Sequence, residues 1–164
     1  MTTSGRPFTK RGKSGPANKR AIVALVERGG LVRSIHVEHA DKSTINLIAR
    51  RNLAKEARVH TDESRLYADM LQHVSSHESV RHTAGEYVRG EVHTNTVENV
   101  FSVFKRGMKG TYQHCAEKHL HRYLAEFDFR YNNRTKLGVN DLARADNALK
   151  GIVGKRLTYR TANQ

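Results

Sequence analysis

Residues 21–37 read AIVALVERGGLVRSIHV, and this stretch sets the expected fold class. Two apolar segments rich in β-branched residues flank the polar tetrapeptide Glu27-Arg28-Gly29-Gly30. Branched side chains favour strands and a Gly-Gly pair favours a tight turn, so the stretch predicts an antiparallel β-hairpin. We expect this hairpin to open the ordered core of the domain.

Helical and strand patterns alternate after the hairpin. Asp41 has the side chain of a helix N-cap, and the pattern behind it predicts a helix to about Leu53. The segment 57–61 predicts a strand that ends at Asp62. Further expected elements are a short helix at 64–71, a strand at 77–82, a loop at 83–93, and helices from 94, from about 116 to 132 and from about 140 to 150. Such alternation predicts an α/β fold in which helices flank a mixed sheet.

The chain divides into three segments by composition. Residues 1–20 contain six Lys and Arg residues among glycines and carry no Asp or Glu, which predicts a flexible basic arm. Residues 21–112 hold the predicted α/β core. Residues 113–164 are predicted to form a C-terminal helical extension of the same domain.

The charge balance indicates the class of partner. The 164 residues include 29 Lys and Arg against 16 Asp and Glu, for a net charge of +13. An excess of this size favours a polyanion, most often nucleic acid. The single cysteine, Cys115, excludes a disulfide framework within the chain, and no apolar run is long enough to span a bilayer. We therefore expect a cytoplasmic protein with no membrane partner.

Two acidic residues stand where α/β folds place active-site groups. Asp62 lies at the end of a predicted strand, and Glu98 lies in the first turns of a predicted helix. Two carboxylates brought together repel unless cations hold them, and Mg²⁺ suits such oxygens. A pair of Mg²⁺ ions can assist both the attacking and the leaving oxygen of a phosphodiester. Lys105 follows Glu98 by two helical turns on the same face, where it could contact a phosphate.

Four motifs resemble one known family. Thr61-Asp62-Glu63, preceded by His60, resembles the second-aspartate motif of insertion-sequence transposases. Residues 95–105, NTVENVFSVFK, resemble their third motif, which reads roughly Asn-x-x-Glu-x-x-Phe-x-x-x-Lys. Residues 85–90 and 123–134 look like parts of the ISXO2-like transposase domain. The motifs occur in the family's order, and the resemblance extends from about residue 17 to 158.

The resemblance implies a fold and an activity. The fold is ribonuclease-H-like, and the reaction is cleavage at transposon ends with strand transfer to target DNA, dependent on Mg²⁺ or Mn²⁺. Asp62 would be the second metal ligand and Glu98 the third, with Asn95 as a rival or helper of Glu98 in the catalytic set. The implied partners are DNA and a second copy of the chain in a homodimer. The residues expected to contact DNA are Lys105, Arg106, Lys109, Arg11, Lys13, Lys19 and Arg20.

The sequence departs from the family pattern at its start. The family's first catalytic aspartate lies on a strand upstream of the hairpin, whereas the first acidic residue here is Glu27. We therefore expect the first strand and its aspartate to be missing, as in an N-terminally truncated transposase. The isolated chain is then expected to be inactive in strand transfer.

Other interpretations of the same residues remain open. Asp62 could serve only as a helix cap, and Glu98 could form a capping box with Asn95 as the N-cap. Lys105 and its basic neighbours could simply favour the helix C-terminus. The alternative functions are a non-catalytic DNA-binding remnant and a ribonuclease-H-type nuclease that acts on RNA or a hybrid.

Overall fold

The computed structural model describes residues 2–4, 20–113 and 115–155, and the description of 2–4 covers the backbone alone. The strands are β1 (Thr2–Ser4), β2 (Ala21–Val26), β3 (Val32–Val37), β4 (Arg58–Asp62), β5 (Ser76–Val80), β6 (Val88–Arg89) and β7 (Val92–His93). The helices are α1 (Lys42–Asn52), α2 (Asn95–Gly107), α3 (Leu120–Asn132) and α4 (Asp141–Lys150). This composition confirms the expected α/β class.

The predicted hairpin is present. β2 and β3 pair antiparallel in one unbroken register, from Ala21 opposite Val37 to Val26 opposite Val32. Gly29 in the connecting turn has φ +73°, a conformation that side chains with a Cβ rarely adopt. The Gly-Gly pair therefore forms the tight turn that the sequence predicted.

A short strand precedes the hairpin, contrary to expectation. β1 pairs antiparallel with the first half of β2, with Thr2 opposite Val23 and Ser4 opposite Ala21. The expectation of a missing first strand is thus wrong at these residues, as is the assignment of residues 2–4 to a free arm. This strand was not predicted because its three residues, Thr2–Ser4, are all polar and show no alternation of apolar and polar side chains. The rest of the predicted arm, residues 5–19, lies outside the described residues.

The strands form three small sheets in the described part of the chain, and the single mixed sheet that we expected is not formed there. β4 and β5 pair in parallel, while β6 and β7 form a second antiparallel hairpin. That hairpin lies within the predicted loop at 83–93, with Gly90 at φ +58° in its turn. Its two-residue strands are too short to give a readable pattern.

Strand β2 is buried on both faces. Val23 belongs to a core cluster with Ile45 and Ile48 of α1, on one side of the sheet. Ile22 and Ala24 belong to a second cluster on the other side, which contains Phe101 and Phe104 of α2 and Leu120 and Leu124 of α3. Alternate side chains of a strand point to opposite faces, so helices cover both faces of the sheet. The molecule therefore has three layers around β2.

Helices begin where the sequence predicted if a capping side chain marks the start. Asp41 caps α1, because its Oδ1 accepts the Thr44 N–H at 2.7 Å. Asn140 caps α4 in the same way. Residues 64–71, predicted as one helix, instead hold two separate 3-10 turns. Helix α3 begins at Leu120, later than predicted, because residues 117–119 form a 3-10 turn.

The predicted C-terminal extension packs on the hairpin. Asp128 of α3 accepts the Ser34 N–H at 2.6 Å and the Ser34 hydroxyl at 2.7 Å. Asn132, one turn later, bonds to both backbone polar groups of Val32. These hydrogen bonds hold helix α3 against the outer edge of β3. Among the described helices, none has the length and apolar character that crossing a membrane requires.

Candidate functional site

Asp62 is the last residue of β4 and is half-buried. Its Oδ1 accepts the Ser64 N–H at 3.0 Å, and Ser64 in turn caps the following 3-10 turn. The backbone carbonyl of Asp62 accepts the hydroxyl of Thr61 at 2.8 Å, and Thr61 is fully buried. The end of β4 is therefore held in place by hydrogen bonds on both sides of Asp62. Ser64, and not Asp62, is the N-cap of the following turn, so the interpretation of Asp62 as a helix cap is wrong.

His77 of the neighbouring strand β5 supports this strand end. Thr61 uses its hydroxyl proton on Asp62, so the His77 Nε2, 2.8 Å from the Thr61 oxygen, must carry a proton and donate it. Burial lowers the pKa of His77 below its ordinary value, and the nearby charge of His60 lowers it further. The contact requires a proton on Nε2, and the lowered pKa of His77 favours the neutral imidazole that carries it there.

Glu98 lies in the first turn of α2 and is exposed. Its Oε1 accepts the hydroxyl proton of Thr94 at 2.6 Å. Thr94 is 5% exposed, and its oxygen lies 3.3 Å from the His82 Nε2. Thr94, and not Asn95, occupies the N-cap position, so the alternative of a capping box built on Asn95 is wrong. Asn95 is the first helical residue and is exposed.

A second set of contacts links the strand end to the start of α2. Glu63, directly after Asp62, accepts the Thr83 N–H at 3.0 Å and the Thr83 hydroxyl at 2.8 Å. These hydrogen bonds lower the pKa of Glu63 below its ordinary value. Thr83 is adjacent to His82, which contacts Thr94. The segment 82–84 therefore connects the neighbours of Asp62 to the residue that holds Glu98.

The described residues do not form a complete set of ligands for a metal ion. Within residues 20–113 and 115–155, no group of three or more His, Cys, Asp or Glu side chains is placed to hold one ion. Asp62 and Glu98 thus stand at two linked elements without a third such ligand beside them.

The exposed face of α2 combines Glu98 with three cations. A shallow cleft of about 420 Å³ is lined by Glu98, Phe101, Ser102, Lys105, Arg106 and Lys109. Lys105, Arg106 and Lys109 are all exposed. The predicted placement of Lys105 on the same face as Glu98 is therefore confirmed. Lys109 lies in the π-helical turn Met108–Tyr112 that continues α2, and we call Lys105, Arg106 and Lys109 together the basic face of α2.

The other predicted DNA contacts have different surroundings. Arg20 forms an ion pair with Glu117 at 2.5 Å, so its charge is partly neutralised within the fold. Arg11, Lys13 and Lys19 lie outside the described residues. Of the residues predicted to contact DNA, those of the basic face of α2 are therefore the ones that the structure describes as exposed cations without the ion pair that Arg20 forms.

The residues that position Glu98 and the end of β4 were not predicted from the sequence. Thr94 and His82 were not singled out, nor was the pair formed by Glu63 and Thr83. A threonine directly before a helix that starts with Asn-x-x-Glu is a local sequence signal for the role of Thr94. The Glu63 contact spans twenty residues and has no local signal.

An α/β domain that presents carboxylates beside a row of exposed cations has the features of a protein that handles nucleic acid. The chain belongs to the ISXO2-like transposase domain family, whose model matches residues 3–132. The family resemblance seen in the sequence is therefore confirmed.

The chain is also similar to an uncharacterized protein in transposable element ISH50 from Halobacterium salinarum (strain ATCC 700922 / JCM 11081 / NRC-1). The two are 30% identical over 128 residues, which cover 76% of this chain and 43% of that protein. The chain thus spans less than half the length of this curated relative. No solved structure matches the chain.

Proposed function

We propose that the chain acts in DNA transposition as a DDE-type transposase domain that binds DNA and takes part in metal-dependent cleavage and strand transfer at insertion-sequence ends. The observation that supports this most is the position of Glu98 beside the basic face of α2, in a member of a transposase family. Hydrogen bonds through the segment 82–84 also link Glu63, the neighbour of Asp62, to the threonine that holds Glu98. DNA is the expected partner of a chain with a net charge of +13. The fold that the proposal requires is ribonuclease-H-like.

Asp62 and Glu98 would supply part of the ligand set that Mg²⁺ or Mn²⁺ requires. Asp62 and Glu98 each use one carboxylate oxygen for an internal hydrogen bond and keep a second oxygen for another partner. Mg²⁺ is often held by one or two carboxylates together with water and substrate phosphate. When bound, the ion would polarise the phosphate and assist the attacking oxygen. Asn95, one turn before Glu98, is the proposed auxiliary ligand, and Lys105 is the proposed contact to the DNA backbone.

A second candidate is non-catalytic DNA binding. It is favoured by the absence of a three-ligand group among the described residues, together with the basic face of α2. This function requires the cations alone and predicts no role for Asp62. It also gives no reason for the rigid support that Thr61 and His77 provide to the end of β4.

Self-association is part of the proposal. Helix α4 and the residues after it expose four large apolar side chains: Leu142 (82%), Leu149 (64%), Ile152 (57%) and Val153 (83%). Leu142 and Leu149 are two turns apart and share a face of the helix. Large apolar side chains exposed within one short segment favour contact with another protein surface, and we propose a second copy of the chain.

The paramagnetic ion Mn²⁺ offers a test that is independent of turnover. If Asp62 and Glu98 share an ion, Mn²⁺ should broaden the amide resonances around both residues at the same concentration in the full chain. Asp62→Asn should abolish both effects, while Glu38→Gln, at an exposed acid on the surface, should abolish neither. Broadening around one residue alone, with DNA binding intact, would favour the non-catalytic candidate. Cleavage of an RNA–DNA hybrid by the loaded chain would favour a ribonuclease-H-type nuclease. A transposase domain without its first aspartate is expected to leave the hybrid intact and to give no strand transfer with duplex DNA.

A further inference from the structure

One aromatic ring of the described part of the chain lies outside the core. Tyr87, directly before β6, has 59% of its surface exposed, whereas every other Phe and Tyr that the structure describes is buried or half-buried. A single exposed apolar side chain is common on protein surfaces and has no meaning by itself. The position of the ring and its neighbours therefore decide what it can bind.

The loop before Tyr87 holds the ring in a defined place. The Glu86 N–H donates to the Arg81 carbonyl at 3.0 Å, and the Arg81 N–H donates to the Glu86 carboxylate at 3.3 Å. Gly85, within this closed loop, has φ +74°, which a residue with a Cβ rarely adopts. The centroid of the Tyr87 ring lies 5.1 Å from that of the His82 ring, a normal distance for an aromatic contact. A ring that is already positioned loses little conformational freedom when it binds a ligand.

His82 connects this ring to the candidate site. Its Nε2 lies 3.3 Å from the hydroxyl oxygen of Thr94, and that hydroxyl donates to Glu98 at 2.6 Å. Along this chain of contacts, only the side chains of His82 and Thr94 separate the Tyr87 ring from the Glu98 carboxylate. Glu98 in turn shares a cleft with Lys105 and the other cations of the basic face of α2. A DNA strand bound at this cleft therefore has a nucleotide within reach of the ring.

The surroundings of the ring favour a flat ligand over a protein surface. Within residues 81–93, Val88 is the only other large apolar side chain that is exposed, so the apolar area is far smaller than a stable protein interface. Arg89 is occupied by an ion pair with Glu86 at 3.7 Å. Arg81, in contrast, is exposed and forms no ion pair within the residues that the structure describes. An aromatic ring close to an available cation is the combination that binds single-stranded nucleic acid, through base stacking and phosphate contact.

We propose that Tyr87 is a stacking platform for an unpaired nucleobase of the DNA, next to the phosphate that lies nearest Glu98. The proposal rests on the proposed function, because that function brings DNA to this cleft. A base within a duplex is already stacked on both faces, so the ring takes a base that overhangs, frays or turns out of the helix. Every base has a flat face, so the ring selects unpaired nucleotides and not a particular sequence.

Three DNA ligands with the same duplex part test the proposal on the full chain. The first is blunt, the second carries an overhang of two nucleotides with the fluorescent base pyrrolocytosine, and the third carries the same overhang without bases. The overhangs are placed on either strand end in turn. Because the abasic overhang has the same phosphates, it controls for charge. We expect the overhang with bases to bind about tenfold more tightly than the abasic overhang, and its fluorescence to be quenched by stacking.

Variants at one position separate stacking from other roles of the side chain. Tyr87→Ala should bind the overhang with bases about tenfold more weakly, with unchanged affinity for the other two ligands and an unchanged salt dependence. Tyr87→Phe keeps the ring and should bind all three ligands as the wild type does. Val88→Ala, at the exposed neighbour, is the matched control and should also bind as the wild type does. Thermal unfolding of each variant shows that the fold is retained.

Four outcomes contradict the proposal. It is overturned if the wild type binds the overhangs with and without bases equally, or if Tyr87→Phe is as impaired as Tyr87→Ala, which would assign the effect to the hydroxyl. It is also overturned if Tyr87→Ala changes the sedimentation of the chain and not its affinity for DNA, because the ring then contacts protein. In these three cases, binding of the blunt duplex leaves the proposed function intact. A chain that binds none of the three ligands contradicts the proposed function as well.

Discussion

The side-chain amide of Asn132 pairs with both backbone polar groups of Val32. Its Oδ1 accepts the Val32 N–H at 2.7 Å, and its Nδ2 donates to the Val32 carbonyl at 2.8 Å. This is the pattern that a neighbouring strand would provide on the outer edge of β3. Asp128 acts two residues further along the same edge, at Ser34. Helix α3 thus substitutes for a strand through two side chains.

The Asn132 contact should contribute measurably to stability. Asn132→Ala leaves two half-buried backbone groups without these partners, and such a loss typically lowers the unfolding free energy by about 1–3 kcal/mol. Urea unfolding measures the change. Asn99→Ala, at an exposed position of α2, is the control and should shift the free energy by less than about 0.5 kcal/mol. Equal effects of the two substitutions would contradict this role for Asn132.

Asp128 should make stability depend on pH in a defined direction. Burial raises the pKa of its carboxyl above the ordinary 3.8, and this effect outweighs the opposing hydrogen bonds from Ser34 and the charge of Arg33. The folded state therefore holds the proton more tightly than the unfolded state. The stability contribution of Asp128 is fully present below its unfolded pKa and is lost as the pH rises through its folded pKa.

The Asp128→Asn variant isolates this contribution. The unfolding free energy of the wild type minus that of the variant should increase as the pH falls from about 6.5 to about 3.5. Urea unfolding at several pH values measures the difference. Glu56→Gln, at an exposed acid, is the control and should give a nearly flat difference. A difference for Asp128 that decreases toward acid pH would show that the hydrogen bonds from Ser34 dominate over burial.

Thr94 should orient Glu98 as well as stabilise the start of α2. Thr94→Val keeps the shape but removes the hydroxyl that bonds Glu98 at 2.6 Å, and this should lower the unfolding free energy by roughly 1–2 kcal/mol. The same variant should weaken Mn²⁺-induced broadening near Glu98. Thr94→Ser retains the hydroxyl and should restore both properties in large part. If Thr94→Ser is as impaired as Thr94→Val, the methyl group and not the hydroxyl is responsible.

The basic face of α2 should carry a distinct share of DNA binding. Changing Lys105, Arg106 and Lys109 together to Gln should weaken binding to a short mixed-sequence duplex and flatten its salt dependence. The slope of log affinity against log salt should fall by about 0.9 for each DNA phosphate that the variant no longer neutralises. Fluorescence anisotropy at several salt concentrations measures both quantities.

A charge-matched control exists on another helix. Arg50 and Arg51 at the end of α1, with the nearby Lys55, are also exposed. Their triple change to Gln removes the same net charge and should leave more of the slope intact than the change on α2. Indistinguishable slopes would mean that DNA is attracted by the overall charge and not by this face.

The exposed apolar side chains around α4 should mediate self-association. Leu142→Ser combined with Val153→Ser should shift the chain from dimer to monomer in sedimentation, with little change in the unfolding temperature because both side chains are exposed. Leu71→Ser, at another exposed leucine, should leave the dimer intact. A wild-type chain that stays monomeric at about 100 µM would refute the homodimer.

Local patterns predicted the local structure. The Gly-Gly turn of the hairpin, the Asp41 cap of α1 and the apolar spacing of α2 each lie within a few residues, and all three were predicted from the sequence. The strand end at Asp62 and the shared face of Glu98 and Lys105 were predicted for the same reason. Spacing along a helix or strand determines these relationships directly.

Contacts between distant segments were not predictable from pattern. Asn132 and Val32 are a hundred residues apart, and the sequence near Asn132 gives no sign that its amide replaces a strand. The strand β1 and the β6–β7 hairpin are too short for periodicity to be visible. The separation of β2 from β4 was missed because strand patterns do not specify which edges meet.

The covered edge of β3 limits how copies of this protein can be joined. A sheet propagates into a filament when each molecule both receives a strand at one edge and offers a free edge at the other. In the sheet formed by β1, β2 and β3, side chains of α3 already occupy the β3 edge. Growth through this sheet therefore stops after one addition, and any strand-mediated assembly built on it has a fixed, small number of members.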